Sequence, residues 1–324
     1  MNKQQETEAK SGILWGGLCT SVIIVAMVYA SEYLGEREII FPETAALAVG
    51  AFLAPKLAWR TDYLRLVLCI TLCAIAGECI VAFLPGSLWI QMAVAYVVSQ
   101  IIYVCSGTTL APMISAILLP VLLQTTGIVY PLAVFFLCVG IVIFRAVLVQ
   151  AGVRKGVDYQ WKPSLHVVSL QNMVFRCIAV TVLIYIAFVF QLPFCVAPPL
   201  LVAFTELAVR EHPARGRLVS VMELVTICAL AGTFARYYLS MTLENPLPLY
   251  IVAIPAVLVM ILCMYLMRLY FPPAGAILVL ALLIPEQYVL FYPLQILVGI
   301  FVLGLAAWRL PQKSSDKKQE RKPA

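Results

Sequence analysis

An ionisable side chain inside an apolar run is costly in a bilayer, so each one is a candidate for function. Glu78 stands sixteen residues into the apolar run 63–84, where a carboxyl group either exchanges protons or hydrogen-bonds a neighbouring helix; it is the first candidate for proton coupling. Glu206 and Glu223 lie in later apolar runs, where each either faces a cavity or pairs with a basic residue. Arg210, one turn beyond Glu206, predicts an i, i+4 pair. Glu43 follows Pro42 in a first helical turn, where free N–H groups and the helix dipole favour a carboxylate, so capping explains it. Arg236, close to the outer end of its run, either snorkels or points into the bundle, and it is the best-placed cation for drawing in an anion. Arg145 and Arg176 fit ordinary anchoring at the cytoplasmic face.

Backbone donors offer a second kind of anion site. Ser106-Gly107-Thr108-Thr109 and Phe271-Pro272-Pro273 both open short apolar runs. If Gly107, Thr108 and Thr109 begin a half-helix inside the protein, its N–H groups and dipole attract an anion and the Thr hydroxyls add donors. Pro272 and Pro273 begin a helix well but remove two such donors, so the first site is the stronger.

Metal and covalent chemistry find little here. Nine of the ten cysteines lie in apolar runs and read as small buried hydrophobes; no metal site and no cofactor is assigned. HExxH and GxSxG motifs are absent, so no enzyme is expected. His166 and His212 fall in loops and read as solvated, without a role.

The elements that must position these groups follow from composition. Of 324 residues, 63% are apolar and 12% charged, against roughly a quarter charged in soluble domains; mean hydropathy is +0.99. The chain reads as an all-α polytopic membrane protein. A polar segment 1–11 precedes apolar runs at 12–34, 41–55, 63–84, 88–106, 108–124, 129–150, 170–190, 194–209, 217–239, 248–270, 272–285 and 288–309. Twelve transmembrane segments are expected, ten full-length and two short, the short ones being 108–124 and 272–285. With the N-terminus cytoplasmic, this count puts nearly all Lys and Arg inside and leaves outside only Arg37, among Glu32, Glu36, Glu38, Glu244 and Glu286. Both termini are then cytoplasmic, in a plasma or inner cell membrane, and the basic tail 310–324 lies near anionic lipid.

The halves 12–150 and 170–309, joined by a cytoplasmic linker at 151–169, resemble each other. Ala74-Ile75-Ala76-Gly77-Glu78 answers Ala229-Leu230-Ala231-Gly232-Thr233, and Pro42 answers Pro198. Leu118-Leu119-Pro120 answers Leu283-Ile284-Pro285, and Val129-Tyr130-Pro131 answers Phe291-Tyr292-Pro293. Six segments per half is an even number, which makes the repeats parallel, an arrangement common in secondary transporters. Gly77 and Gly232 read as close-packing positions.

In the second half Phe271-Pro272-Pro273-Ala274-Gly275-Ala276 resembles the HPPAGA signature of the HPP family, named for a His-Pro-Pro motif. Ala197-Pro198-Pro199-Leu200-Leu201-Val202-Ala203-Phe204 resembles that family's upstream Pro-started helix. The resemblance covers about a third of the chain, and Phe271 stands where the motif has His, so no role of that imidazole carries over. Family members are integral membrane proteins, and plastid and cyanobacterial ones are associated with nitrite transport; the resemblance implies a carrier of a small anion. A weaker likeness is to aromatic acid exporter and fusaric acid resistance membrane domains. The expected function is a secondary transporter of a small anion, nitrite-like or a small organic acid, working by alternating access and coupled to protons. Its expected partners are the bilayer, that anion and a second copy of the chain, with no nucleic acid. The alternatives are a non-transporting scaffold or subunit, or an exporter of aromatic or organic acids.

Overall fold

A computed structural model describes residues 3–54, 56–157, 159–160, 167–209 and 212–309, without the side chains of 3–11 and 167–171. The expected Glu206–Arg210 pair, His166 and the tail 310–324 lie outside the described residues. In chain order the helices are α1 (Lys3–Leu34), α2 (Glu43–Ala48, continuing in wider π turns through Val49–Leu53), α3 (Tyr63–Phe83), α4 (Leu88–Cys105), α5 (Pro112–Leu123) and α6 (Val129–Gln150). There follow α7 (Val167–Val189), α8 (Pro198–Leu207), α9 (Leu218–Phe234, continuing in π turns through Ala235–Thr242), α10 (Leu249–Met267), α11 (Pro272–Leu283), α12 (Glu286–Val289) and α13 (Tyr292–Arg309).

Eight of these, α1, α3, α4, α6, α7, α9, α10 and α13, are long and apolar enough to cross a membrane. This is a multi-pass helical membrane protein. The expectation of ten full-length segments needs correcting, because the runs 41–55 and 194–209 yield only the short helices α2 and α8. Proline explains the shortening. Pro42 and Pro198-Pro199 can open a helix but not continue one, and Ala54, ahead of Pro55, turns extended and ends the first of them.

The four short helices form the centre. α2 and α8 each pack against both α5 and α11, and all residues of α2 and α8, and nearly all of α5 and α11, are buried. Helices ending inside a bundle leave C-terminal carbonyls without partners. Arginines supply three of the four ends. Arg145 donates to Ala51 O and Arg154 to Phe52 O at the end of α2; Arg215 donates to Leu207 O and Ala208 O at the end of α8. Arg236 donates to Leu282 O at the end of α11. At α5 the left-handed Gln124 closes the turn, its side chain donating to Val121 O at 2.8 Å. A cation at a helix C-terminus also meets the negative end of its dipole. Arg145, expected as a surface anchor, is 2% exposed and is an internal cap.

Each half runs long, short, long, long, short, long, and its contacts recur. α1 packs on α10 where Tyr29 meets Tyr250 edge-on, and α7 packs on α4 where Tyr185 meets Trp89 edge-on, both at 5.2 Å between centroids. Tyr130 Oη donates to Ala116 O at 2.9 Å, and Tyr292 Oη to Ile277 O at 2.8 Å. A Cβ on Gly77 would meet Ile117 O and, at 2.6 Å, Pro120; one on Gly232 would meet Leu278 O and, at 2.8 Å, Ala281. These contacts set Ala116, Ile117 and Pro120 against Ile277, Leu278 and Ala281, one helical turn away from the pairing of Leu118–Pro120 with Leu283–Pro285. The slip has a simple source: Pro120 lies inside the last turn of α5, whereas Pro285 lies beyond the end of α11.

Charge divides between the ends of the bundle. One end gathers Lys56, Arg60, Arg65, Arg154, Lys155, Arg215, Arg217, Arg268 and Arg309; the other gathers Glu32, Glu36, Glu38, Glu244 and Glu286, with Arg37.

Candidate functional site

Two carboxylates are enclosed in the central ring. Glu43 opens α2 at 1% exposure, and the Ser115 hydroxyl on α5 donates to its Oε1. The carboxyl also meets its own backbone N–H at the helix start, so a bond across the ring is added to the expected capping. Its Oε2 has no hydrogen-bond partner among the described residues. Glu206, near the end of α8, is 5% exposed and accepts the Trp59 indole N–H at 2.9 Å. Beside it on α4, Tyr96, Gln100 and Tyr103 share one face. Tyr96 approaches Thr205 and Arg176, and the Gln100 amide has no hydrogen-bond partner among the described residues. Tyr103 lies in the field of Arg176, Glu206 and Arg60.

Neither Trp59 nor His212 is visible as a site residue in the sequence. Trp59 is 4% exposed and lies over Gly50. A tryptophan followed by Arg60, Thr61 and Asp62 after a proline-ended run is a weak hint of such a fold-back. His212 is not the solvated loop residue expected; its ring packs edge-on against Phe271 at 6.2 Å, with Nε2 3.9 Å from Glu206 Oε2. Burial pushes its imidazole below the ordinary value. The imidazole therefore packs against Phe271, the residue ahead of the Pro272-Pro273 start of α11.

The other sequence candidates scatter. α11 begins at Pro272-Pro273 as expected. The expected half-helix at Gly107-Thr108-Thr109 does not form: α5 begins at Pro112, and the preceding residues are a folded loop. Gly107 takes a left-handed φ of 67° and its carbonyl accepts from Tyr159 Oη at 2.9 Å. Thr108 Oγ1 bonds Ser106 Oγ, and Thr109 Oγ1 accepts from Arg60 N at 2.8 Å. With those hydroxyls engaged and the helix start elsewhere, the stronger anion site expected here is lost. The physical cause is local bonding by Ser and Thr, which competes with helix initiation.

Glu78 lies outside the ring. It borders a wide groove of about 600 Å³ between α3 and α6, lined by Thr71, Ile75, Phe83, Pro131 and Phe135, and takes a hydrogen bond from the Gly127 backbone. Glu223 is exposed on the flank of α9. Arg236 is 6% exposed and borders a cleft of about 350 Å³ with Arg37, Ser31, Glu32 and Glu286. A second cleft of about 310 Å³ shares Arg37, Ile40 and Leu283 with it and reaches Leu119, Pro120 and Leu123 of α5. Glu38 lines this second cleft, and burial, then Glu36, raises its carboxyl above the ordinary value. The clefts thus open at the acidic end, over the ends of α5 and α11. Among the described residues no group of His, Cys, Asp and Glu is placed to hold a metal. No protein-family model, no curated protein and no solved structure matches the chain.

Proposed function

We propose that the chain is a secondary transporter of a small anion, built from two parallel repeats of six segments and working by alternating access, with protons as the coupling ion. One observation carries this reading: four short helices, buried on all sides, fill the middle of an eight-helix wall and bring two carboxylates into it. Simple packing does not call for this. A bundle made only to be stable has no use for helix ends inside the apolar layer, each needing its own arginine or glutamine, nor for carboxylates that cost energy there. Discontinuous helices near the midplane are, however, where transporters bind.

The recurrent long-short-long-long-short-long order and the matched aromatic and tyrosine contacts support the repeat. The basic end fits a cytoplasmic face, which makes the acidic-end clefts outward. There Arg236 bonds Leu282 O through Nη1, which leaves its other N–H groups to meet an anion, together with Arg37. The seams α1–α10, α4–α7, α2–α11 and α5–α8 join the halves, so relative movement of the halves would open the ring to either end. The likeness of Phe271–Ala276 to the His-Pro-Pro signature points to the same substrate class.

The test is anion flux into liposomes holding purified protein and an internal pH dye, with nitrite, nitrate, formate and aromatic carboxylates compared against empty liposomes. Saturable, protein-dependent flux of one anion, lost in folded Arg236→Ala, is the expected result. Folded protein that moves none of them would sink the anion reading and leave the scaffold alternative.

A further inference from the structure

Glu206 is held in an unusual way for a carboxylate at this depth. Oε1 accepts one neutral donor, the Trp59 indole, and Oε2 has no hydrogen-bond partner among the described residues. An indole N–H fills one acceptor without cancelling a charge. The group facing Oε2 is an imidazole, His212 Nε2 at 3.9 Å. Its protonation can be assigned from its other side: Ala214 N donates to Nδ1 at 3.3 Å, so Nδ1 is the bare nitrogen and the ring proton sits on Nε2, towards Glu206. The His212 side chain keeps 24% of its surface exposed at the basic end. One imidazole therefore touches water on one side and stands just beyond hydrogen-bond reach of an enclosed carboxyl on the other.

Among the described residues, the surroundings set this pair apart. From α4 Tyr103 faces Glu206, itself in the field of Arg60 and Arg176. Arg215 is occupied by the carbonyls of Leu207, Ala208 and Trp308. α5 and α11 carry no titratable side chain, and α13 has only Tyr292 and Arg309 at its ends. Phe271 packs edge-on against the imidazole.

We propose that Glu206 and His212 form a proton-loading site, Glu206 holding the proton inside the ring of short helices and His212 delivering it from the basic end. In the step, Nδ1 takes a proton from water and releases the Ala214 N–H, while Nε2 passes its own proton to Glu206 Oε2. The imidazole ends neutral with its proton on Nδ1, and exchange with water at the exposed side, Nδ1 losing its proton and Nε2 gaining one, restores the starting tautomer. Only N–H and O–H bonds change. For its purpose the site rests on the transport reading, where it supplies the coupling proton; its test needs no substrate.

Infrared spectroscopy of the full chain in lipid nanodiscs reads the carbonyl stretch of protonated carboxyl groups and its shift on transfer to D2O. A band present in the native chain and in Glu43→Gln is expected to vanish in Glu206→Gln, which keeps an oxygen for Trp59 and so keeps the fold. Its H/D exchange is expected to slow at least tenfold in His212→Gln, whose amide holds the space but cannot relay. The chain has two histidines, so His166→Gln leaves one imidazole, and ring nitrogen resonances are expected to report the Nε2–H form. A band that survives in Glu206→Gln, exchange unchanged in His212→Gln, or a dominant Nδ1–H form overturns the proposal. Failure here leaves anion flux to be judged by itself, and absent flux with an intact band overturns only the transport reading.

Discussion

Glu43 and Glu206 lie at opposite ends of one ring, and the difference between them is more informative than either alone. Superposing α2 on α8 by their opening prolines, Pro42 on Pro198, sets Glu43 on Pro199 and Gly50 on Glu206. The carboxylates then differ in height by seven residues of helical rise, about 10 Å. Trp59 lies over Gly50 and bonds Glu206, so it touches both equivalent positions and treats them differently. The order of long and short helices is the same in the two halves, whereas the polar groups on α2 and α8 differ. A device that must distinguish two sides of a membrane needs such an asymmetry, and a passive scaffold does not.

The frame can be broken at its helix ends. Arg145→Leu removes two charge-assisted bonds, to Ala51 O and Lys155 O, and should cost about 4 kcal/mol at about 2 kcal/mol each. Arg236→Leu removes one strong bond, to Leu282 O, and should cost about 2 kcal/mol. Thermal unfolding in detergent followed by size-exclusion chromatography ranks the two. Equal losses would mean that the acidic-end cap matters to folding as much as the internal one, and would weaken the case for Arg236 as a ligand group.

Next come the glycines, where the halves should behave alike. Gly77→Ala and Gly232→Ala each drive a methyl into a facing carbonyl and side chain, Pro120 in one half and Ala281 in the other. Overpacking of this kind costs about 1–3 kcal/mol, and the two melting shifts should agree closely. A large disagreement would mean that the recurrent contacts are not mechanically equivalent.

What the sequence made legible was the frame, and what it hid was chemistry built across the chain. Prolines, glycines and apolar runs act locally, so the start of α11, the close approach at Gly77 and Gly232, and the segregation of charge could be read directly. The shortness of α2 follows from Pro42 and Pro55, whereas its passage into the π turns of Val49–Leu53 carries no sequence signal. Glu206, Trp59 and His212 are brought together from separate loops and one helix, 147 residues separating the first two, and no spacing rule spans such a distance. The same limit explains why Gly107–Thr109 misled: its helix-starting residue types bond one another instead.

Replacing the carboxylates themselves sharpens the comparison with smaller effects on stability. Glu43→Gln keeps an oxygen for Ser115 and Glu206→Gln keeps one for Trp59, so each should change stability by about 1 kcal/mol or less. Their functional effects should differ. In liposomes, Glu206→Gln should abolish the dependence of flux on pH at the basic end, and Glu43→Gln should leave that dependence in place. Identical pH profiles for the two variants would remove the assigned division of labour between the ends of the ring.

The smallest effect tests His212 through stability alone. Burial lowers its pKa from the ordinary value of 6.5, so below that value the unfolded chain binds a proton that the folded chain resists. Stability then rises with pH while the unfolded state holds more protons, and it falls as the solution is acidified through about 6.5. In a His166→Gln background, His212→Gln should flatten this part of the stability profile, read as melting temperature against pH, while leaving the alkaline side unchanged. A profile with the same acid slope in both chains would show that the imidazole is equally protonated folded and unfolded. It would then be an ordinary solvated histidine, and the contrast between the two ends of the ring would rest on Glu206 and Trp59 alone.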